Sequence, residues 1–375
     1  MSKNIISAEV ELPAKDLQDD IDFYQSELGF RLELIYPSDD PAVAVISGHG
    51  LRLRLDRNSK NAPGILYLTV AKAPEGRDQE LIASNGTRIK FIQQQLSPTI
   101  PATSHRFQVK RIADSEPWII GRAGMLYRDL IDERLGGSII ASHIRIPVGG
   151  PVPDQVHFHT IGFQLIYCLS GWVRLVYEDQ GEPFLLEAGD CVTQPPKIRH
   201  RVLEASDNLE VLEICVPAEH LTSIDHEMTL PTGRNLPERE FDGQVFCHHR
   251  SGNAHWQATK DNHWMLADTG VFAATRGVAA VNVYKLPAVS SGQIHDSPRQ
   301  LTAAADIDFM LITKGSMTLS PANNSSATAD FPVADNSEST SQTLSQGDAL
   351  VAPPGFALDI SDCSDDLMFV NVQVF

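Results

Sequence analysis

This chain lacks the features that would tie it to nucleic acid, to a lipid bilayer or to a disulfide framework. Basic residues are scarce: 30 Lys and Arg stand against 48 Asp and Glu, a formal net charge of −18. That balance favours solubility and argues against nucleic acid or an anionic membrane as a partner. No apolar run approaches the roughly 20 residues of a membrane-spanning helix, and Met1-Ser2-Lys3-Asn4-Ile5 is followed by no signal-peptide core. Cysteines are few, odd in number and scattered, at Cys168, Cys191, Cys215, Cys247 and Cys363, with no CxxC pair. Mostly buried thiols in a reducing cytoplasm are therefore expected, not a bridged scaffold. The expected partner is a small-molecule substrate, with no nucleic acid and no membrane, and a homodimer is an admissible assembly.

What is present is an ordinary globular composition, 42% hydrophobic and 21% charged, able to bury sizeable cores. At 375 residues there is room for two or three domains, taking about 150 residues for each. Near the start, residues 5–12 alternate as a strand does, and Leu17, Ile21, Tyr24 and Leu28 recur at helical spacing before Gly29 ends the helix. Residues 31–35, 42–47 and 51–55 then read as strands, with Gly48-His49-Gly50 as a hairpin turn. A weaker strand–helix–strand occupies 65–70, 74–84 and 88–93, and 105–110 reads as another strand. From 139 to 217 short strands crowd between Gly, Pro and Asp turns, at 139–146, 164–169, 173–177 and 210–216, with Asp179-Gln180-Gly181 as a hairpin. That density fits an antiparallel double-sheet barrel. Residues 321–346, rich in Ser, Asn, Thr and Ala, read as a long mobile loop within a barrel.

The chemistry concentrates between Val156 and His200. His157-Phe158-His159 is followed after four residues by Gln164 and after six more by Gly171. Gly189 then precedes Pro195-Pro196-Lys197 by five residues, and His200 comes two residues later. Imidazoles at i and i+2 project from one face of a strand, because strand side chains alternate. A third His from a later strand closes a facial set of nitrogen ligands. Three neutral imidazoles with open positions suit a catalytic-type site for Fe(II), Zn, Ni or Mn, not a closed structural one.

This spacing resembles the two cupin motifs, G-x5-H-x-H-x(3,4)-E-x6-G and G-x5-P-x-G-x2-H. The match covers His157, His159 and Gly171 of the first, and Gly189, Pro195 and His200 of the second. Gln164 stands where the family carries a Glu ligand, and Lys197 where it carries Gly. The resemblance implies one divalent transition metal, Fe(II) favoured over Zn, Ni or Mn, held by His157, His159, His200 and Gln164. A neutral amide in the carboxylate's place binds a divalent ion less strongly and leaves the site more positive. Upstream, Leu12-Pro13-Ala14-Lys15-Asp16-Leu17 and Phe23-Tyr24-Gln25-Ser26-Glu27-Leu28-Gly29-Phe30 resemble the vicinal-oxygen-chelate (glyoxalase) module. Glu9 matches that family's first-strand ligand, but 51–56 offers no fourth-strand counterpart, so a structural domain is expected.

From about residue 278 the barrel plan returns in degraded form. His295 meets the first-motif His, Asp308 and Gly315 the Glu-x6-Gly end, and Gly347, Pro353 and Gly355 the second motif. Ser297 and Leu358 then stand where the second and third His should be. The fold expected is mainly β, with two cupin barrels of double-stranded β-helix or jelly-roll type preceded by a small α+β glyoxalase-like domain. The expected boundaries are 1–112 for that domain, 113–225 for the metal-binding barrel and 226–375 for the degenerate one.

Alternation from Gln164 puts Ile166 and Cys168 on its own face and Tyr167 on the other, while alternation from His200 puts Val202 and Glu204 inward. Glu204 and Tyr167 are the catalytic candidates for moving protons. Arg122 and Arg128, in a segment placed to cross the barrel mouth, and Cys168 are the substrate-binding candidates. The clusters His248-His249, His255-Trp256 and His263-Trp264 fit no ligand spacing and read as interface or loop residues. Three classes remain. An Fe(II)-type dioxygenase acting on a small polar or anionic organic substrate leads, because three-histidine cupin sites resemble thiol and diketone dioxygenases. A redox-neutral isomerase or lyase and a non-enzymatic ligand-sensing bicupin are the alternatives.

Overall fold

The structure, a computed structural model, describes residues 4–72, 80–94, 97–114, 117–287, 299–322 and 341–375. The chain divides into two compact units, Met1–Leu96 and Ser97–Phe375. No helix among the described residues is long and apolar enough to cross a membrane.

In the first unit, Asp16 caps the helix Leu17–Ser26 by accepting the amide N–H groups of Gln18 at 3.0 Å and Asp19 at 3.2 Å. Gly29 ends the turn that follows with a left-handed φ of 71°. The helix buries Leu17, Ile21 and Tyr24. Strand Val10–Pro13 pairs parallel with Leu51–Asp56, and Val43–Gly48 and Arg31–Tyr36 complete that sheet. A smaller sheet holds Ile65–Val70, Arg88–Gln93 and Glu80–Ile82. The helix expected over 74–84 falls largely on residues 73–79, outside the described residues, and its described end, Glu80–Ile82, is a strand. Glu9 is not an open ligand, since Arg52 and Arg54 of the Leu/Arg ladder hold its carboxylate at 3.3 and 2.9 Å.

The second unit contains two double-sheet barrels. The first has a seven-stranded sheet centred on Phe163–Ser170, Leu209–Val216 and Ile140–Ile146, facing one that holds Trp172–Tyr177, His200–Ala205 and His157–Thr160. The second repeats the plan with Ile307–Lys314, Met368–Val374 and Ala279–Lys285 facing Ala357–Ser361, Ser316–Pro321 and Arg299–Thr302. Neither expected boundary at 112 or 225 survives as a clean cut. Gln108–Lys110 precedes the first barrel in the chain but adds an edge strand to the second, pairing with Ala349–Ala352. His248–His249 follows the first barrel and pairs back onto its strand Cys191–Thr193. One edge is therefore crossed over, a strand that precedes the first barrel completing the second. The large sheets of the two barrels also share one core, in which Phe163, Leu165 and Tyr167 of the first meet Ile307, Phe309 and Leu311 of the second. This is the alternation of strands used on both faces, one row filling each barrel and the next joining the pair.

The registers of the two barrels superimpose in sequence terms. Gln164 opposes Cys215 and Ile166 opposes Glu213 in the first; Asp308 opposes Gln373 and Met310 opposes Asn371 in the second. Seven residues beyond Gln164 and Asp308, Gly171 and Gly315 turn with φ of 74° and 70°, a region that disfavours a Cβ. Lys197 adopts the same hand at φ 64°, where the motif has Gly. Register also corrects the sequence alignment of the second barrel. His157 opposes His200, and the matching pair is Leu301 opposite Leu358. The counterparts of the three histidines are thus Leu301, Ala303 and Leu358, all buried or partly buried. His295 and Ser297, aligned from sequence, lie outside the described residues.

Candidate metal centre

Strand His157–Thr160 places His157 and His159 on one face, and the antiparallel neighbour brings His200 directly opposite His157. Ring centroids are 4.2 Å apart for His157 and His200, 5.2 Å for His157 and His159, and 5.3 Å for His159 and His200. One ligand nitrogen from each lies within 4.8 Å of the others, and no other trio of His, Cys, Asp or Glu among the described residues converges so. All three side chains are buried.

The proton positions follow from their partners. His157 Nδ1 lies 2.7 Å from the Gln155 carbonyl and His200 Nδ1 3.0 Å from that of Ile198. A carbonyl only accepts, so both Nδ1 atoms carry the hydrogen and both Nε2 atoms present a lone pair. Thr222 Oγ1 sits 2.9 Å from His159 Nδ1 and holds the orientation of that ring, a hydroxyl serving there as donor or acceptor. His157 Nε2 is buried with no hydrogen-bond partner. An orphaned imidazole lone pair between two others is what a divalent metal would satisfy, so the residues fit the ion. Burial drives the pKa of each imidazole below its ordinary value, with Arg122 adding to the effect at His157. Neutral imidazole is the ligating form.

These rings open on a cavity of about 70 Å3 walled mainly by Ile144, Ile146, Ile166, Leu175, Val202 and Val211. Its polar lining is Arg122, Tyr127, Gln194 and Glu213. Glu213 comes from strand Leu209–Val216 and accepts the Gln164 amide N–H at 2.9 Å. Burial raises its carboxyl pKa, partly offset by that hydrogen bond. Burial also pushes the Tyr127 hydroxyl up to about 12, with the nearby Glu213 carboxylate adding to the shift. Gln194 donates to the Tyr177 hydroxyl at 2.8 Å, and the Tyr177 ring stacks on His200 at 5.5 Å. Arg122 pairs with the buried Asp154, whose other oxygen accepts the Val202 amide at 2.9 Å and whose carboxylate lies 3.6 Å from His157 Nδ1.

The remaining sequence candidates divide. Arg122 is in the cavity. Arg128 is not: Tyr127 takes the inward place on that strand, and Arg128 points to the other face, 3.0 Å from His143 and stacked 4.2 Å from the Trp118 ring. Glu204 also leaves the site. A bulge between the pairs Leu175–Val202 and Arg174–Glu204 resets the alternation, so Ala205 turns inward and Glu204 pairs outside with Arg174 at 3.2 Å. Tyr167 lies on the face of its strand that joins the two barrels, remote from the imidazoles. Cys168 is buried in the barrel core, its thiol directed to the Ser170 and Gly171 carbonyls and raised to about 12 by burial. Gln164 does not line the cavity; its amide is committed to Glu213, and Glu213 is the group that faces the imidazoles' chamber. Sequence reasoning missed Glu213, although one signal was available. It is the lone acid inside the otherwise apolar run Val211-Leu212-Glu213-Ile214-Cys215-Val216. A charge there needs a partner or a task.

Residues 142–216 match the profile of the family described as Cupin domain. This segment is similar to a cupin domain. Among solved structures, the chain is similar to protein Ylba from E. coli at 10% identity, covering 75% of this chain and 95% of that one, with a TM-score of 0.47. It is similar to an oxalate decarboxylase of Bacillus subtilis at 11% identity over 75% and 79% of the two chains, with a TM-score of 0.47. A Lactobacillus farciminis oxalate decarboxylase in a formate complex gives 13% identity over 74% and 88%, with a TM-score of 0.49. Comparison with curated proteins finds no match. The histidines and Gln164 all fall inside the matched segment, as does Glu213. The second barrel shares its register but presents Leu301, Ala303 and Leu358 in place of ligands.

Proposed function

We propose that the protein is a metal-dependent enzyme of the Fe(II) dioxygenase type, acting on a small organic molecule that reaches the metal as an anion. The observation that carries this reading is the ligand set itself: three buried neutral imidazoles and no carboxylate among them. A divalent ion held this way keeps its full double charge, so an anionic oxygen or sulfur donor is favoured at its open positions. The bound ion would supply Lewis acidity and, as iron, a place where substrate and O2 meet.

The chain's own groups do the rest. His157, His159 and His200 hold the ion, and Gln155, Ile198 and Thr222 hold the rings. Arg122, half in solvent and anchored by Asp154, orients a negatively charged group at the cavity edge. Apolar walls exclude water and select a compact carbon skeleton. Glu213, whose carboxyl pKa burial raises, is the acid–base group of the chamber, and Gln164 positions it. That group also supports a second reading, a redox-neutral isomerase or lyase in which Glu213 relays a proton.

Anaerobic reconstitution with Fe(II), Mn(II), Ni(II) or Zn(II), followed by a metabolite screen on an oxygen electrode, separates the two. Oxygen uptake that requires Fe(II) and a substrate supports the dioxygenase. Product formed without oxygen transfers the case to Glu213. Saturable binding with no turnover under any metal contradicts both and leaves a sensing role.

A further inference from the structure

A second cavity, of about 360 Å3, lies between the two barrels and shares no residue with the metal chamber. Its volume is within the range of small-molecule sites, roughly 300–1,000 Å3. Met368 forms part of its floor. In the sheet register Met368 stands opposite Lys285 on one neighbouring strand and opposite Lys314 on the other. Directly opposed residues of antiparallel strands share a face, so the three side chains form a row with the lysines flanking the methionine, about 10 Å apart across two strand spacings. The Lys285 ammonium also sits 3.9 Å from the centre of the Trp256 ring, which forms an aromatic wall.

The rest of the lining has one chemical character. Tyr167, Ser251 and Thr313 contribute hydroxyls and His249 an imidazole, while no Asp or Glu lines the cavity. The nearest carboxylate to Ser251, that of Asp190, is occupied by the Ser251 amide at 2.7 Å and hydroxyl at 3.0 Å and by the Glu187 amide at 3.1 Å. Among the described residues the lysine ion pairs are those of Lys110 and Lys197, so neither Lys285 nor Lys314 has an acid partner there. In a chain of net charge −18, two such ammonium groups on one cavity are conspicuous. Lys285 is half-buried and Lys314 exposed, so water solvates both in part, and an anionic ligand would meet two ammonium groups with no acid partner beside them.

We infer that the inter-barrel cavity is a second small-molecule site, which takes an organic carboxylate with an apolar, planar body. The carboxylate would lie between Lys285 and Lys314 over Met368, drawing the Lys285 ammonium off the Trp256 face that it now covers at 3.9 Å and leaving that face to the ligand's ring. The site also accounts for Tyr167, which lies far from the metal chamber but lines this one.

Titration calorimetry of the full chain with benzoate, with inorganic phosphate as the comparison anion, tests the assignment. Benzoate should bind saturably, and equally well to His157→Ala/His159→Ala, which separates this site from the metal chamber. Lys285→Met and Lys314→Met, which keep the apolar stems, should each weaken benzoate at least tenfold, and Trp256→Leu should weaken benzoate without strengthening phosphate. Phosphate should bind at least tenfold more weakly than benzoate. No saturable benzoate binding, binding indifferent to both lysine variants, binding lost in the histidine variant, or phosphate preferred over benzoate would each overturn the proposal.

Discussion

Replacing Glu213 by Gln probes the one titratable carboxyl in the metal chamber, and the metal-free protein isolates its effect. In the folded chain burial raises this carboxyl's pKa above its ordinary value of 4.5, against the opposing pull of the Gln164 amide. A group raised in the folded state contributes stability below the unfolded pKa and loses it as pH rises through the folded pKa. Wild-type protein should therefore lose stability relative to Glu213→Gln from about pH 4.5 upward, at a limiting slope of about 1.4 kcal/mol per pH unit. The exchange keeps shape and volume. It replaces the Gln164 hydrogen bond to the carboxyl, worth about 1 kcal/mol while that carboxyl is neutral, by an amide–amide bond of similar worth. At low pH, where the wild-type carboxyl is neutral, the two proteins should differ by no more than about 1 kcal/mol. At neutral pH Glu213→Gln should be the more stable. Denaturant titrations of both proteins in chelator, repeated across pH 4–8, give the difference curve. A difference that does not change with pH, or a variant less stable at neutral pH, would refute the reasoning and show Glu213 held as a carboxylate. With metal and substrate present, the same variant should lower turnover by about 10²–10⁴-fold if Glu213 transfers a proton in the rate-limiting step.

Thr222→Val removes the group that fixes His159 Nδ1 and should weaken metal affinity about 10–100-fold with the three ligands intact; competition against a chelator measures it. Phe309→Ala empties a fully buried ring position in the core that joins the barrels. It should cost about 3–5 kcal/mol and lower the unfolding midpoint of the metal-bearing barrel as well as its own, read by calorimetry with and without metal.

The metal ligands were legible because their chemistry is local: an i, i+2 pair on a strand and a third His at a fixed distance past a Gly and a Pro. The strands were legible for the same reason, as 140–146, 163–170, 172–177 and 209–216 show. Alternation failed where one residue breaks the count. The bulge before Glu204 turns that acid out and Ala205 in, and no pattern in Val202-Leu203-Glu204-Ala205 announces it. Pairings between distant segments were equally hidden. Nothing in Gln108–Lys110 says that it belongs to a strand about 240 residues later, and the Leu301 register was misread from a His six residues upstream. Glu213 illustrates a third limit. The lone acid was visible, but its place beside Gln164 depends on the register of Phe163–Ser170 against Leu209–Val216. Register also exposes an exchange between the barrels. An amide at 164 serves an acid at 213 in the first, while an acid at 308 is served by an amide at 371, at 2.6 Å, in the second.

Metal stoichiometry tests the central claim most directly. After anaerobic reconstitution with Fe(II) or Mn(II) and removal of excess ion, elemental analysis of the full chain should give about one equivalent per chain, and His157→Ala/His159→Ala should give none while keeping the wild-type circular dichroism spectrum. Two equivalents in the wild type, or metal retained by the folded double variant, would contradict a single centre built on these three histidines.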